Sequence, residues 1–543
     1  MKNSKLSRRY FISVATLAGL SAAARAMPVL GPVYASVPSF WEMAKLTKEI
    51  LKLSVWVLAQ DVQRLLATPD GVDKFISWCK LQGGTKVYLE AYGRGLYVDR
   101  TILETVKKRC LQEGLEIQGG IQTVNGPDNF DAPHCFTSQV DQDELQKIFE
   151  YTASIFDEII IDDWFFTNCQ NAESVQDRGQ RSWAEYYSDV MVKMSKERVM
   201  LPSHKVNPKV KVIIKYPQWN EMLQSRGYDV VRESVTFDGI WAGTEAREFD
   251  FNSSAGYESS YNAYFNMRWL AGFGKVGGGW FDIGGDRTKV NTYLEQARHT
   301  VLGEAREMIL CFYTDTFPAD KFDGLRKDLP GLIKLAKLIK DKPVKGVPLV
   351  KPGNSDAFEE EYVCSFMGSL GIPFVPSIKV NEQAASAFFS VHVVKDKDFT
   401  EKLSRILKKG TPVVVTDGLA KRLKDYPDLL QQVTVLPLNG SPRTLLTLSA
   451  KQIKPFRDKL MAPLEMRFHA PAKVELYLFG NDTVVIVNTN DQEVEVTLDL
   501  AKVSSVKRSL VLPEDSGTAD VTLNGKRVKA MISARALTVI IYS

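Results

Sequence analysis

The chain has 543 residues, 44% hydrophobic and 25% charged, with a formal net charge of +4 and a pI near 8.5. This is the composition of a soluble globular protein, and at roughly 100–200 residues per domain it has room for three or four domains with large cores. The sequence holds no repeat array or low-complexity tract, and beyond the N-terminus no run of about 18 apolar residues that could cross a membrane.

Lys2 and Lys5 precede Ser7-Arg8-Arg9-Tyr10-Phe11-Ile12, a modest apolar stretch runs from Val14 to Ala24, and Ala24-Arg25-Ala26 has the small-x-small form of a cleavage site. Ser-Arg-Arg-x-Phe-Ile resembles the twin-arginine export signal, which implies that residues 1–26 are removed and that the protein is periplasmic or extracellular. Removal takes away five positive charges (Lys2, Lys5, Arg8, Arg9, Arg25) and no acid, so the net charge becomes 4 − 5 = −1. A nearly neutral protein lacks the electrostatic footprint of nucleic-acid binding.

From residue 51 the chain alternates short apolar runs with segments of 3.6-residue periodicity. Strands are expected at Leu51–Leu58, Lys86–Ala91, Glu116–Val124, Phe156–Asp162, Val210–Lys215, Gly239–Gly243, Val276–Phe281 and Glu307–Tyr313. Helices are expected at Arg100–Glu113, Asp143–Ser154, Arg181–Arg198, Tyr261–Phe273, Lys289–Glu304 and Pro330–Lys340. Eight such units in about 265 residues are the size of a (β/α)8 TIM barrel, here spanning 45–340; the rival is an open doubly wound sheet. The stretch Asp341–Gly353 reads as a linker. Residues 345–440 read as a flavodoxin-like α/β domain, with helices at Phe358–Leu370 and Phe399–Lys408 and strands at Ile372–Val375, Ala387–Val394 and Thr411–Thr416. Alternation at Val474–Leu478, Thr483–Asn488, Val494–Leu498 and Leu537–Tyr542 marks a C-terminal antiparallel all-β domain over 455–543.

Of six cysteines, Cys79, Cys110 and Cys311 sit in apolar patterns as buried thiols. Cys135 and Cys169 follow the third and fourth strands, close enough to pair in an oxidising compartment or, with His134, to hold a metal. No HExxH, CxxC, GxSxG or strand-following GxGxxG occurs, and nothing in the sequence names a cofactor.

Acids and aromatics gather where the expected barrel strands end: Glu90, Tyr92 and Arg94; Asp162, Asp163 and Trp164; Lys215, Tyr216 and Trp219; Trp241 and Glu245; Trp280 and Asp282. Enzymes built on parallel strands keep their chemistry at those ends. Flat apolar walls with polar edges suit sugar rings, and glycosidic cleavage needs one acid to protonate the leaving oxygen and a second carboxylate as nucleophile or base. Asp162 or Asp163 is the candidate nucleophile or base, with only one facing the pocket if alternation holds. Glu245 is the candidate acid, its pKa raised by neighbouring carboxylates, and Asp282 is the alternative partner. Glu90, Arg94 and Lys215 serve as hydrogen-bond and charge partners, and Tyr92, Trp164, Tyr216, Trp219, Trp241 and Trp280 as the walls.

The run Phe156-Asp157-Glu158-Ile159-Ile160-Ile161-Asp162 resembles the fourth-strand pattern of glycoside hydrolase barrels, in which a Phe-Asp-x-Ile-x-x-Asp run ends in a functional acid; this maps onto Asp162. The chitinase version has a Glu two residues later, where this chain has Trp164. The order of barrel, amidotransferase-like layer and β-domain is similar to the family 42 β-galactosidases, which implies a homo-oligomer assembled through the middle α/β domain; that family's paired catalytic Glu motifs are absent. The reading is an exported glycoside hydrolase acting on a carbohydrate substrate. The alternatives are a non-catalytic carbohydrate-binding barrel and a cofactor-dependent oxidoreductase.

Overall fold

Short β-branched runs flanked by amphipathic helices assemble into a closed barrel in the computed structural model, which describes residues 39–124, 134–246, 259–283, 288–314, 319–516 and 521–543. The twin-arginine segment, residues 1–26, lies outside the described residues. The eight barrel strands are β1 (Lys52–Val57), β2 (Lys86–Gly93), β3 (Glu116–Gln122), β4 (Glu158–Ile161), β5 (Lys211–Tyr216), β6 (Gly239–Gly243), β7 (Val276–Trp280) and β8 (Glu307–Phe312). Each pairs in parallel with the next, and β1 pairs with both β2 and β8, which closes the sheet. The open doubly wound alternative is thereby excluded.

Alternation fixes what fills the barrel. Trp56, Tyr88, Ile160, Ile213, Trp241, Trp280 and Ile309 form one buried interior cluster. A Cβ on Gly120 would collide with the Trp56 ring, and one on Gly278 with the Trp241 ring, so glycine on β3 and β7 makes room for indoles. Below this layer, at the strand starts, Lys86 Nζ lies 2.6 Å from Glu158 Oε1 and 3.2 Å from Glu307 Oε2. Tyr88 Oη donates to the same two carboxylates at 2.9 and 3.0 Å, and Ser54 Oγ donates to Glu307. Burial works against the Lys86 charge, yet the Glu307 and Glu158 charges raise its pKa.

Residues 39–543 form one compact unit in which two further layers pack beside the barrel. The first is a parallel sheet in the order Phe374–Ser377, Val347–Val350, Ala387–Phe389, Val413–Thr416, Thr434–Leu436. Taken in chain order this is 2-1-3-4-5, the flavodoxin-like winding. The second comprises two antiparallel sheets, one built around Val474–Phe479, Thr483–Asn488, Leu537–Tyr542 and Val506–Leu512, the other around Met466–His469, Val494–Leu500, Arg527–Ile532 and Val521–Asn524.

The structure departs from the sequence reading in several elements. The expected linker contains Val347–Val350, an inner strand of the middle sheet, because Val-Pro-Leu-Val buries its apolar side chains despite the flanking Pro and Gly. The helix expected from Phe358 starts at Val363, since Phe358 and Tyr362 both adopt positive φ. The strand expected over Ala387–Val394 stops at Phe389 and gives way to a 3-10 turn. Two helices, Ala59–Leu65 and Pro69–Gln82, fill the β1–β2 connection, the second capped by Thr68 and stopped by Gly83 at φ 74°.

The buried cluster under the barrel predicts that Lys86→Met, which leaves two carboxylates facing each other, costs about 3–5 kcal/mol. Urea unfolding at neutral pH reads this directly; a loss under about 1 kcal/mol contradicts it.

Candidate active site

The site is built where β4 and β5 end side by side. Ile159, Ile160 and Ile161 pair with Val212, Ile213 and Ile214, so Asp162 and Lys215 come next on the same two chains. Both continue the inward column that holds Ile160 and Ile213. Lys215 Nζ lies 2.7 Å from Glu245 Oε1, 3.3 Å from Asp163 Oδ2 and 3.5 Å from Asp162 Oδ1. Its ammonium also stands 4.2 Å from the centre of the Trp280 ring, which floors the cluster. Three carboxylates from two strand ends thus share one buried cation.

Alternation predicted that only one of the two adjacent aspartates would face inward. Both do, because β4 ends at Ile161 and the chain turns through Asp163 and Trp164. They are not equivalent: the Asp162 side chain is 5% exposed and the Asp163 side chain 17%. Asp162 accepts the Asp163 N–H on Oδ1 at 2.8 Å and Gln122 Nε2 on Oδ2 at 3.2 Å. Burial first, and then the Asp163 charge, hold the Asp162 pKa well above the usual carboxylate range. Asp163 is held below it: burial is the largest influence and opposes this, but the Lys215 charge together with the hydrogen bonds from Asp162, Lys215 and its own backbone outweighs burial. Lys215 stays charged, since burial works against the ammonium while Asp163, Glu245 and Asp162 raise its pKa.

Glu90 is fully buried and strapped down, accepting Trp56 Nε1 at 2.8 Å and the Ala59 N–H at 2.7 Å. Burial pushes its pKa up to about 7 in spite of those bonds. Its work is positional: it holds Trp56, whose ring sits 4.5 Å from Trp280. Arg94 donates from Nε to Gln122 Oε1 at 3.1 Å and so reaches Asp162 through Gln122. Asp282 stands past the end of β7, its backbone N–H on Gln296 Oε1 at 3.2 Å.

The aromatic residues divide into two groups. Trp164 and Trp219 are half-buried on either side of Phe166, at 5.8 and 6.3 Å between ring centres, and Tyr228 donates to the Asp163 carbonyl at 2.7 Å beside them. Trp280 is buried as the floor of the cluster, and the other three expected walls are corrections. Trp241 points inward below the mouth and fills the barrel core. Tyr92 follows a bulge in β2 and packs on Tyr97 at 4.8 Å, where burial pushes its pKa up to about 12. Tyr216 has outward parity and lies buried next to Tyr228.

Gln122 and Tyr228 escaped the sequence reading. Gln122 closes β3 at the level of Asp162 and could have been found by asking for polar residues at every strand end; Tyr228 lies in a loop without a local signal. Cys135 and Cys169 form a disulfide, their Cα atoms 5.3 Å apart, which removes both thiolates from the alternative metal site with His134. Among the described residues no group of three or more His, Cys, Asp or Glu side chains could hold a metal ion.

Residues 40–330 match the family described as "Probable glycosyl hydrolase, catalytic domain". An uncharacterized protein of Saccharolobus solfataricus is 26% identical over 412 residues, 68% of this chain and 67% of that one. Among solved structures, a GH30 endoxylanase from Clostridium papyrosolvens C71 aligns over 91% of this chain and 96% of its own, at 11% identity and a TM-score of 0.35. A GH5_18 protein from Streptomyces cattleya, in complex with Manb1-4GlcNAc, aligns over 72% of this chain and 99% of its own, at 11% identity and a TM-score of 0.39.

The shared ammonium makes a two-sided prediction. Lys215→Met leaves Asp162, Asp163 and Glu245 without their cation and should cost about 3–5 kcal/mol at pH 7. Asp163 stabilises the wild-type fold above its ordinary pKa, and that stability is lost as pH falls through its lowered folded pKa. The variant lacks this contribution, so its deficit should shrink as the pH drops through the carboxylate range near 4. Melting curves at both pH values test this; an equal deficit at both contradicts it.

Proposed function

The chain belongs to the probable glycosyl hydrolase catalytic-domain family and is a glycosidase by class; from that premise we propose that Asp162 and Glu245 are the carboxylate pair of a retaining glycoside hydrolase. The observation that carries the reading is the bridging ammonium. Asp162 Oδ1 and Glu245 Oε1 cannot be further apart than 3.5 plus 2.7 Å, their distances to Lys215 Nζ. Retaining enzymes keep their carboxyl groups about 5–5.5 Å apart, whereas inverting ones need roughly 6.5–9.5 Å to admit a water between them.

The electrostatics favour the opposite division of roles from the one expected from sequence. A general acid must carry a proton at the working pH, and Asp162 is the group whose pKa burial and Asp163 drive up. Glu245 is ion-paired with Lys215, the state of a nucleophile. In the first step Asp162 gives its proton to the leaving glycosidic oxygen while a Glu245 oxygen bonds to the anomeric carbon and the C–O bond breaks. In the second, the Asp162 carboxylate takes a proton from water, which attacks the same carbon and releases Glu245. Asp163 stays ionised, keeps the Asp162 proton in place and balances Lys215. Trp280 floors the cluster, and the half-buried Trp164 and Trp219 supply ring faces for sugars further out.

Removing the acid should matter in proportion to how much the leaving group needs a proton. Asp162→Asn is expected to lose about 10²–10⁴-fold in kcat/KM on alkyl glycosides and far less on a dinitrophenyl glycoside. The fall of wild-type activity at high pH, as Asp162 deprotonates, should vanish in this variant. Equal losses on both substrates would remove Asp162 from the acid role.

Export and assembly belong to the same proposal. The Ser-Arg-Arg-x-Phe-Ile segment and the Cys135–Cys169 disulfide both favour an oxidising compartment. The flavodoxin-like winding of the middle layer supports the family 42-like layout, with that layer as the surface for a homo-oligomer. Cell fractionation should yield periplasmic protein lacking residues 1–26 that sediments as an oligomer. Retention in the cytoplasm by an Arg8→Lys/Arg9→Lys variant supports the route; a wild-type monomer would remove the assembly reading.

A further inference from the structure

Behind Glu245 a buried chain of side-chain amides leads out of the barrel to the flavodoxin-like layer. Gly243, two residues before Glu245, is hemmed in: a Cβ there would lie 2.5 Å from the Gln218 nitrogen and 2.8 Å from Glu245 Oε2. The Glu245 carboxylate is therefore packed against the β6 end and the turn after β5. Asn266 Nδ2 donates to Gly243 O at 3.1 Å and to Gln218 O at 3.2 Å, and Asn262 Nδ2 donates to Gln218 O at 3.0 Å. Asn220 Nδ2 donates to Oδ1 of both Asn262 and Asn266 at 3.0 Å. Lys351 Nζ then donates to Asn220 Oδ1 at 2.8 Å and pairs with Glu221 Oε2 at 2.5 Å. Lys351 follows directly on the Val347–Val350 strand of the middle layer.

This chain of bonds has a direction that is set at both ends, by the Lys351 ammonium and by the Gln218 and Gly243 carbonyls. An amide can turn over and exchange its donor and acceptor ends. An ammonium has only donors, so Asn220 must present Oδ1 to Lys351 and aim its NH2 at Asn262 and Asn266. Those two must then present oxygens to Asn220 and aim their own NH2 groups at the Gln218 and Gly243 carbonyls, which can only accept. Every link is buried, where a misdirected amide leaves unpaired groups at both ends. The buried Lys351–Glu221 pair, with His392 3.2 Å from Glu221, often gains little stability over apolar residues of similar volume.

We propose that Lys351 is a positioning residue for Glu245: from the flavodoxin-like layer it anchors the far end of the amide chain that holds the β6 end and the Gln218 turn against the nucleophile. The proposal rests on the assignment of Glu245 as nucleophile. It makes the middle layer part of the machinery of turnover as well as a candidate surface for assembly.

The test is kinetic and uses the full chain with a dinitrophenyl glycoside that the wild-type protein cleaves. Lys351→Met alone leaves the buried Glu221 carboxylate with only His392, at 3.2 Å, and the Tyr362 N–H as partners among those described, and can destabilise the interface, so Lys351→Met/Glu221→Gln is made beside it. The double variant is expected to lose about tenfold or more in kcat, with KM within twofold of wild type and an unchanged melting temperature. The activated leaving group should give no relief, since the defect lies in the attacking carboxylate. A kcat within twofold of wild type overturns the proposal, as does a parallel shift of kcat, KM and melting temperature. Glu245→Gln run in parallel separates the two claims. If it keeps its turnover, the nucleophile assignment falls and this proposal with it; if it is inactive while the double variant is fully active, the positioning role alone is overturned.

Discussion

One buried ammonium holds this site together. Lys215 is taken out of water at the barrel mouth, which is tolerable only because three carboxylates surround it, and those carboxylates could not be gathered there without it. Three carboxylates on one ammonium leave an excess of negative charge that pulls the two aspartates apart: Asp163 is pushed toward its charged form and Asp162 toward its protonated form. The proposed retaining mechanism needs one such proton donor and one ionised carboxylate, the roles given to Asp162 and Glu245. The rest of the barrel serves this arrangement, from Trp280 under the ammonium to Trp56 beside it and Glu90 fastening Trp56.

The two ends of the barrel interior use the same ingredients differently. On β4, Glu158, Ile160 and Asp162 alternate inward from bottom to mouth, so one short strand feeds both polar clusters and the apolar layer between them. At the bottom, Lys86 meets two carboxylates that also accept from Tyr88 and Ser54, so the excess is one negative charge and the donors are plentiful. At the mouth the donors are fewer and the acids more numerous. The bottom is a lock on the fold, and the mouth is the more strained arrangement of charge.

Much of this was legible from the residues. The eight apolar runs located the barrel strands to within a few residues, because parallel strands buried on both faces read as continuous Val, Ile and Leu. The clustering of acids at the ends of four strands marks Asp162, Asp163, Lys215 and Glu245 in the sequence itself. What a single sequence could not convey was the third dimension of those ends. Alternation assigns Trp241 to the interior but not to a depth, and it lapses beyond Ile161, so both aspartates converge where one was expected. The bulge in β2 turns Tyr92 out of the mouth. The partnership of Asn220, Asn262, Asn266 and Lys351 joins positions up to 131 residues apart and has no local signature.

The account depends on Glu245 forming a bond to the sugar. Incubation with a 2-deoxy-2-fluoro glycoside bearing a dinitrophenyl leaving group, followed by proteolysis and mass spectrometry, reads that bond directly. The account predicts one covalently attached sugar, located on Glu245. A label on Asp162 or Asp163, or no label together with a first product of inverted anomeric configuration, would contradict it.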